Sequence, residues 1–89
     1  MKKFARITGT GSYLPPKIVT NFDLEKTLNT SDDWITARTG IKERRIVTDE
    51  NTCDLALEAS LNALSMAALN PEDIDLIILA TTTPDKIFP

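Results

Sequence analysis

The sequence predicts an α/β fold whose sheet is incomplete within the chain, and three observations carry that reading. Residues 4–9, Phe-Ala-Arg-Ile-Thr-Gly, alternate apolar and polar side chains as a strand does. Residues 52–68 carry Leu57, Leu61, Leu64 and Ala68 at helical spacing, flanked by Ala56, Ala59, Ala63 and Ala67, which allow close packing against another element. Residues 74–80, Ile-Asp-Leu-Ile-Ile-Leu-Ala, read as a strand buried on both faces, as in a parallel sheet covered by helices. A central strand needs a neighbour on each side, and only residues 4–9 offer a long partner. The expectation is therefore the opening segment of a larger α/β enzyme, with the sheet completed beyond Ile87-Phe88-Pro89.

The remaining elements follow in chain order. Gly9-Thr10-Gly11-Ser12 reads as a turn, and Pro15-Pro16 starts another. Ile18-Val19-Thr20 is a short extended piece. Asn21 then caps a short helix over 22–28, with Leu24 and Leu28 at i,i+4. In Thr30-Ser31-Asp32-Asp33-Trp34-Ile35-Thr36-Ala37-Arg38-Thr39-Gly40, Thr30 and Asp33 form a capping-box-like pair. The acids sit at the positive end of the helix dipole and Arg38 at the negative end. Gly40 suits the left-handed position that ends a helix. Residues 41–47 are extended, Asp49-Glu50-Asn51 is a polar break, and Asn70-Pro71-Glu72-Asp73 ends the long helix.

Composition narrows the function. Net charge is −3, so there is no footprint for nucleic acid. The longest apolar run, 76–80, is too short to span a bilayer, and the N-terminus lacks the apolar stretch of a signal peptide. A single cysteine, Cys53, suits a reducing compartment, and a cytoplasmic protein is expected. With no histidine, the chain holds no Ser-His or Cys-His pair, and no metal site is expected.

Four features could carry chemistry. Trp34 and Arg38, at i,i+4, project from one helix face. Both are flat and can stack on a planar heterocycle such as adenine. A packing device, with Arg38 laid across a partly buried Trp34, is the reading that the spacing alone favours, since such pairs are common in packing. Cys53 lies near a helix N-terminus, but Asp54 opposes a thiolate and no base or cation adjoins it, so an inert thiol is expected. Gly9-Thr10-Gly11 lacks the third glycine and following helix of a dinucleotide fingerprint. The Lys42 to Arg45 cluster reads as a solvated face, with a ligand phosphate as the minority option.

Four segments together resemble a known family. They are Gly9-Thr10-Gly11-Ser12-Tyr13-Leu14-Pro15, Thr30-Ser31-Asp32-Asp33-Trp34-Ile35, Arg38-Thr39-Gly40-Ile41-Lys42-Glu43-Arg44 and Ala80-Thr81-Thr82-Thr83-Pro84. In order and spacing they are similar to the N-terminal part of the β-ketoacyl-[acyl-carrier-protein] synthase III family, the initiating condensing enzymes of type II fatty acid synthesis. The resemblance covers essentially all 89 residues. Lys42 departs from it, standing where many relatives have Arg.

The resemblance implies a thiolase-like fold of αβαβα layers in a homodimer, with residues 1–89 as the start of the first half. It implies condensation of an acyl-CoA, typically acetyl-CoA, with malonyl-acyl-carrier-protein through a Cys, His and Asn that do not map onto this chain. CoA is substrate and product rather than a cofactor. Trp34 would stack on the adenine of CoA and Arg38 would meet the nucleotide end, with Thr30 and Thr39 along the same tunnel. Phe88 would reach across the dimer edge to the partner's acyl pocket. The isolated chain is expected to be inactive, with the rest of the enzyme continuing it or complementing it as a second chain. Two alternatives stand beside this reading: a thiolase-fold condensing enzyme with another primer, and a free-standing CoA- or nucleotide-binding module.

Overall fold

The computed structural model describes residues 2–87, so the expectation for Phe88 lies outside the described residues. The chain forms two compact units, one of residues 14–49 and one of residues 1–13 with 50–89.

In the first unit, strand β1 (Lys17–Thr20) leads directly into helix α1 (Asn21–Glu25). Helix α2 (Asp32–Thr39) follows, then strand β2 (Glu43–Ile46). The two strands pair antiparallel, with Lys17 opposite Ile46 and Thr20 opposite Glu43. Both extended pieces expected from the sequence are thus strands of one hairpin-like sheet, separated by two helices.

The helix starts are each displaced by one residue from the expected cap. Thr20, not Asn21, caps α1: its hydroxyl accepts from the Asp23 N–H at 3.1 Å, and the Asp23 carboxylate accepts from the Thr20 N–H at 2.8 Å. The helix also ends at Glu25 rather than 28. Ser31, not Thr30, caps α2 by accepting from the Trp34 N–H at 3.1 Å. Gly40 ends α2 at φ 71°, as expected for a left-handed terminus.

In the second unit, helix α3 (Thr52–Ala67) fits the expected span. Asn51 caps it, sharing reciprocal bonds with Asp54, and Ala68 closes it at φ 57°. A 3₁₀ turn (Pro71–Asp73) follows. Residues 9–12 lie against α3 without a turn. A Cβ at Gly9 would lie 2.5 Å from the Ala63 carbonyl and 2.9 Å from the Ala67 Cβ; one at Gly11 would strike the backbone of Ala59 and Ala63. The Gly9–Gly11 stretch is therefore no turn. It is extended backbone pressed onto the alanine face of α3, where a side chain has no room. Asn62 Nδ2 donates to the Ser12 carbonyl at 2.9 Å and secures this seam.

The expected strands 4–9 and 74–80 form no ladder among the described residues. Strand structure is a property of paired backbones, and these two segments are not paired with each other or with β1 and β2. Their apolar side chains stay in water: Phe4 is 86% exposed and Ile78 84%. Among the described residues only Pro15 and Asn21 are buried, and Asn21 is the one side chain fully withdrawn from solvent. The sheet is incomplete within this chain.

Candidate functional site

Helix α2 carries the Trp34/Arg38 pair on a platform with no buried residue of its own. The Arg38 guanidinium lies over the indole, 5.1 Å from the ring centroid, within the range of an attractive cation–π contact. Trp34 remains 56% exposed within this segment, which leaves indole surface open to a ligand. Beside it is an open depression of about 320 Å³ lined by Asn29, Thr30, Ser31 and Trp34. That lies at the lower end of ligand-pocket volumes, about 300–1,000 Å³. A flat aromatic wall, a hydroxyl-rich floor and an adjacent guanidinium suit a planar heterocycle joined to an anionic group.

Of the four residues expected along a nucleotide site, the structure brings three together. Trp34 and Thr30 line the depression, and Arg38 stacks on Trp34. Because Ser31 performs the capping, Thr30 is left at the depression. Thr39 is outside it. Its hydroxyl donates to the Ile35 carbonyl at 2.7 Å and accepts from the Ile41 N–H at 3.0 Å, fastening the end of α2.

The basic cluster is structural in part. Arg44 donates to the Val19 carbonyl at 3.2 Å and to Asn21 Oδ1 at 2.7 Å, and Arg45 donates to the Pro15 carbonyl at 3.1 Å. Neither guanidinium is simply solvated. Asn21, expected only as a cap, is the hub of this unit, and no local sequence signal marks it.

The N-terminus of α3 is occupied by the protein itself. The Asp85 carboxylate accepts from the Thr52 and Cys53 N–H groups, both at 2.9 Å, and Thr52 Oγ1 donates to the Thr83 carbonyl at 2.7 Å. These N–H donors hold the Asp85 pKa below its ordinary value of 3.8, the Cys53 amide foremost. The same carboxylate, which accepts from the thiol, pushes the Cys53 pKa up. A nucleophilic cysteine needs the opposite shift, so Cys53 is an inert thiol, as its neighbours indicated.

A carboxylate with a lowered folded pKa stabilises above its unfolded value and loses that contribution as pH falls through the folded one. The tether from residues 81–87 to α3 is therefore complete at neutral pH and released only on acidification below 3.8. Asp85→Ala is expected to abolish exchange protection of the Thr52 and Cys53 amides at pH 6. Protection elsewhere in α3 should persist. Hydrogen exchange resolved by residue checks this.

Among the described residues no group of three His, Cys, Asp or Glu could hold a metal ion, and no helix is long and apolar enough to cross a membrane.

No family model matches the chain. A curated protein of Vesicomyosocius okutanii, β-ketoacyl-[acyl-carrier-protein] synthase III, is 67% identical over all 89 residues. Among solved structures, 3-oxoacyl-[acyl-carrier-protein] synthase III from Aquifex aeolicus superposes with a TM-score of 0.90 at 60% identity over 93% of the chain. The priming β-ketosynthase of the R1128 polyketide pathway gives 0.89 at 36% identity over 94% of the chain. The chain spans 28% of the length of the first relative, 27% of the second and 25% of the third. The fold is accordingly that part of a thiolase-like α/β architecture. With two-thirds of its residues identical to a synthase III from end to end, and its backbone superposing on another, the chain belongs to the β-ketoacyl-[acyl-carrier-protein] synthase III family, as a segment of about a quarter of its members' length.

Proposed function

We propose that this segment forms the adenine-nucleotide end of the acyl-CoA site in an enzyme that initiates fatty acid synthesis. The full reaction joins acetyl-CoA and malonyl-acyl-carrier-protein to give 3-oxobutanoyl-acyl-carrier-protein, CO2 and CoA. The acyl group passes to a cysteine thiolate, releasing CoA. Loss of CO2 from the malonyl thioester leaves its electron pair on carbon, and that carbon attacks the acyl-enzyme carbonyl and expels the cysteine. Hydrogen-bond donors aimed at the developing enolate oxygen lower the barrier.

The observation that carries the nucleotide role is Arg38 stacked on a half-exposed Trp34 beside the Thr30 depression. Stacking binds the base whatever the acyl chain, and Arg38 offers charge to the phosphates. Thr39 supports the same tunnel by fixing the end of α2. The enzyme works as a cytoplasmic homodimer, and neither a metal nor a resident cofactor enters the reaction.

The full-length protein is expected to release CO2 and CoA in equal amounts from acetyl-CoA and malonyl-acyl-carrier-protein, while residues 1–89 alone give no product. Turnover by the isolated segment, or none by the full-length protein with any acyl-CoA, would overturn the reading. A second reading, a condensing enzyme with a longer or different primer, is favoured by the likeness to the polyketide priming ketosynthase. Acyl-CoAs of increasing length separate the two. A free-standing CoA-binding module would instead show a melting shift with CoA in the isolated segment.

A further inference from the structure

We infer that Asn21 is the positioning residue that sets the roll of helix α2, and thereby the direction in which Trp34 and Arg38 face. The inference rests on the nucleotide role proposed above.

A surface helix is ordinarily oriented by an apolar stripe against a core. Within this segment helix α2 has no buried residue, so hydrophobic burial inside the segment does not fix its rotation about its own axis. Its inner face is polar instead. Asn21 is 0% exposed, and the two hydrogens of its Nδ2 go to Asp32 Oδ1 at 2.9 Å and the Ile41 carbonyl at 2.7 Å, with Thr36 Oγ1, at 3.3 Å, sharing one of them. Thr36 Oγ1 in turn donates to Asp32 Oδ1 at 3.2 Å. On the other side, Asn21 Oδ1 accepts from Arg44 Nη2 at 2.7 Å, and the Asn21 backbone N–H donates to the Lys42 carbonyl at 3.0 Å. One side chain therefore ties α1 to α2, to the turn after α2 and to β2.

The helical repeat then places the nucleotide pair. Asp32 and Thr36 lie at i,i+4 on one face, and Trp34 and Arg38 at i,i+4 two residues further on. At about 100° per residue the two faces stand roughly 200° apart. Gripping Asp32 and Thr36 at the inner face turns Trp34 and Arg38 directly outward. A second bond, from the Asp32 N–H to Glu25 Oε1 at 2.6 Å, holds the start of α2 but lies near the axis and restrains its roll less. Once Asn21 loses its amide, Asp32 Oδ1 keeps only the Thr36 hydroxyl and the Ile41 carbonyl loses this donor, so the grip on the half-buried inner face weakens and α2 is freer to roll.

The test uses the full-length protein and two substrates with the same reacting thioester: acetyl-CoA, and acetyl-pantetheine, which lacks the nucleotide. Asn21→Ala is expected to raise KM for acetyl-CoA about tenfold with kcat within about twofold, and to leave kcat/KM for acetyl-pantetheine unchanged. Asn21→Asp, nearly identical in shape, sets a carboxylate against Asp32 and should act in the same direction; adding Asp32→Asn should recover part of the loss. If Asn21→Ala does not fold, Thr36→Val removes one acceptor and should raise KM for acetyl-CoA about threefold. Equal losses on both substrates would mark Asn21 as merely structural and overturn the inference, as would no change on either. Trp34→Ala is the control: if it raises KM while the Asn21 and Thr36 variants do not, positioning fails alone. If Trp34→Ala also leaves KM unchanged, the nucleotide role itself fails.

Discussion

Trp34→Ala is expected to raise KM for acetyl-CoA about ten- to hundredfold in the full-length protein, the loss of one base–aromatic stack at roughly 1–3 kcal/mol. KM for malonyl-acyl-carrier-protein should not move. The indole is more than half exposed within this segment, and an unchanged melting temperature of the full-length variant would assign the effect to the ligand. Arg38→Ala removes the guanidinium that lies 5.1 Å from the ring centroid and should cost less, because the indole still offers a stacking surface. Arg38→Lys should not restore binding fully, since an ammonium carries charge but no plane. Steady-state kinetics against each substrate decides the matter; an unchanged KM for acetyl-CoA in Trp34→Ala would reduce the pair to a surface packing device.

Gly11→Ala is expected to destabilise the full-length protein by about 3 kcal/mol, at the upper end of ordinary overpacking. The added Cβ meets the Ala59 carbonyl and the backbone of Ala63, groups that cannot swing aside as a flexible side chain would. Residues 10–12 would have to lift from α3, and the Asn62 bond to the Ser12 carbonyl would lengthen or break. Because the obstruction is backbone, Ala63→Gly should not rescue Gly11→Ala. At Gly9 the Ala67 Cβ is one of the atoms met, so Ala67→Gly should relieve part of Gly9→Ala. Urea denaturation of the single and double variants gives both results.

The two substitutions probe features that differed in how plainly the sequence showed them. The alanine face of α3 announced a close packing partner, but not that residues 9–12 would be it, nor that two glycines two apart serve contact rather than a turn. Glycine permits both, and a local window cannot distinguish them. The Trp34/Arg38 pair was visible from its spacing, yet spacing alone favoured a packing device over a ligand clamp. The exposure of Trp34 and the depression beside it support the ligand reading, and the Trp34→Ala kinetics decide it.

Caps were the other recurrent ambiguity. In Thr20-Asn21 and Thr30-Ser31 either residue is a competent cap. The choice fell to Thr20 because Asn21 is drawn inward to Asp32, Thr36 and Ile41, a set of partners 11 to 20 residues away. No propensity encodes such partners.

The sequence by itself determined the helices, the left-handed end at Gly40, the absence of histidine chemistry and, through four motifs, the family. These rest on local backbone preference, composition and motif order, all of which a linear string contains. Only the tertiary structure decided that Asn21 is a buried hub, that Asp85 occupies the N-terminus of α3, and that residues 4–9 and 74–80 remain unpaired within this chain. Those depend on which distant groups meet. Hydrogen-bond satisfaction and strand pairing are relations between segments, and neither is a property of a segment alone.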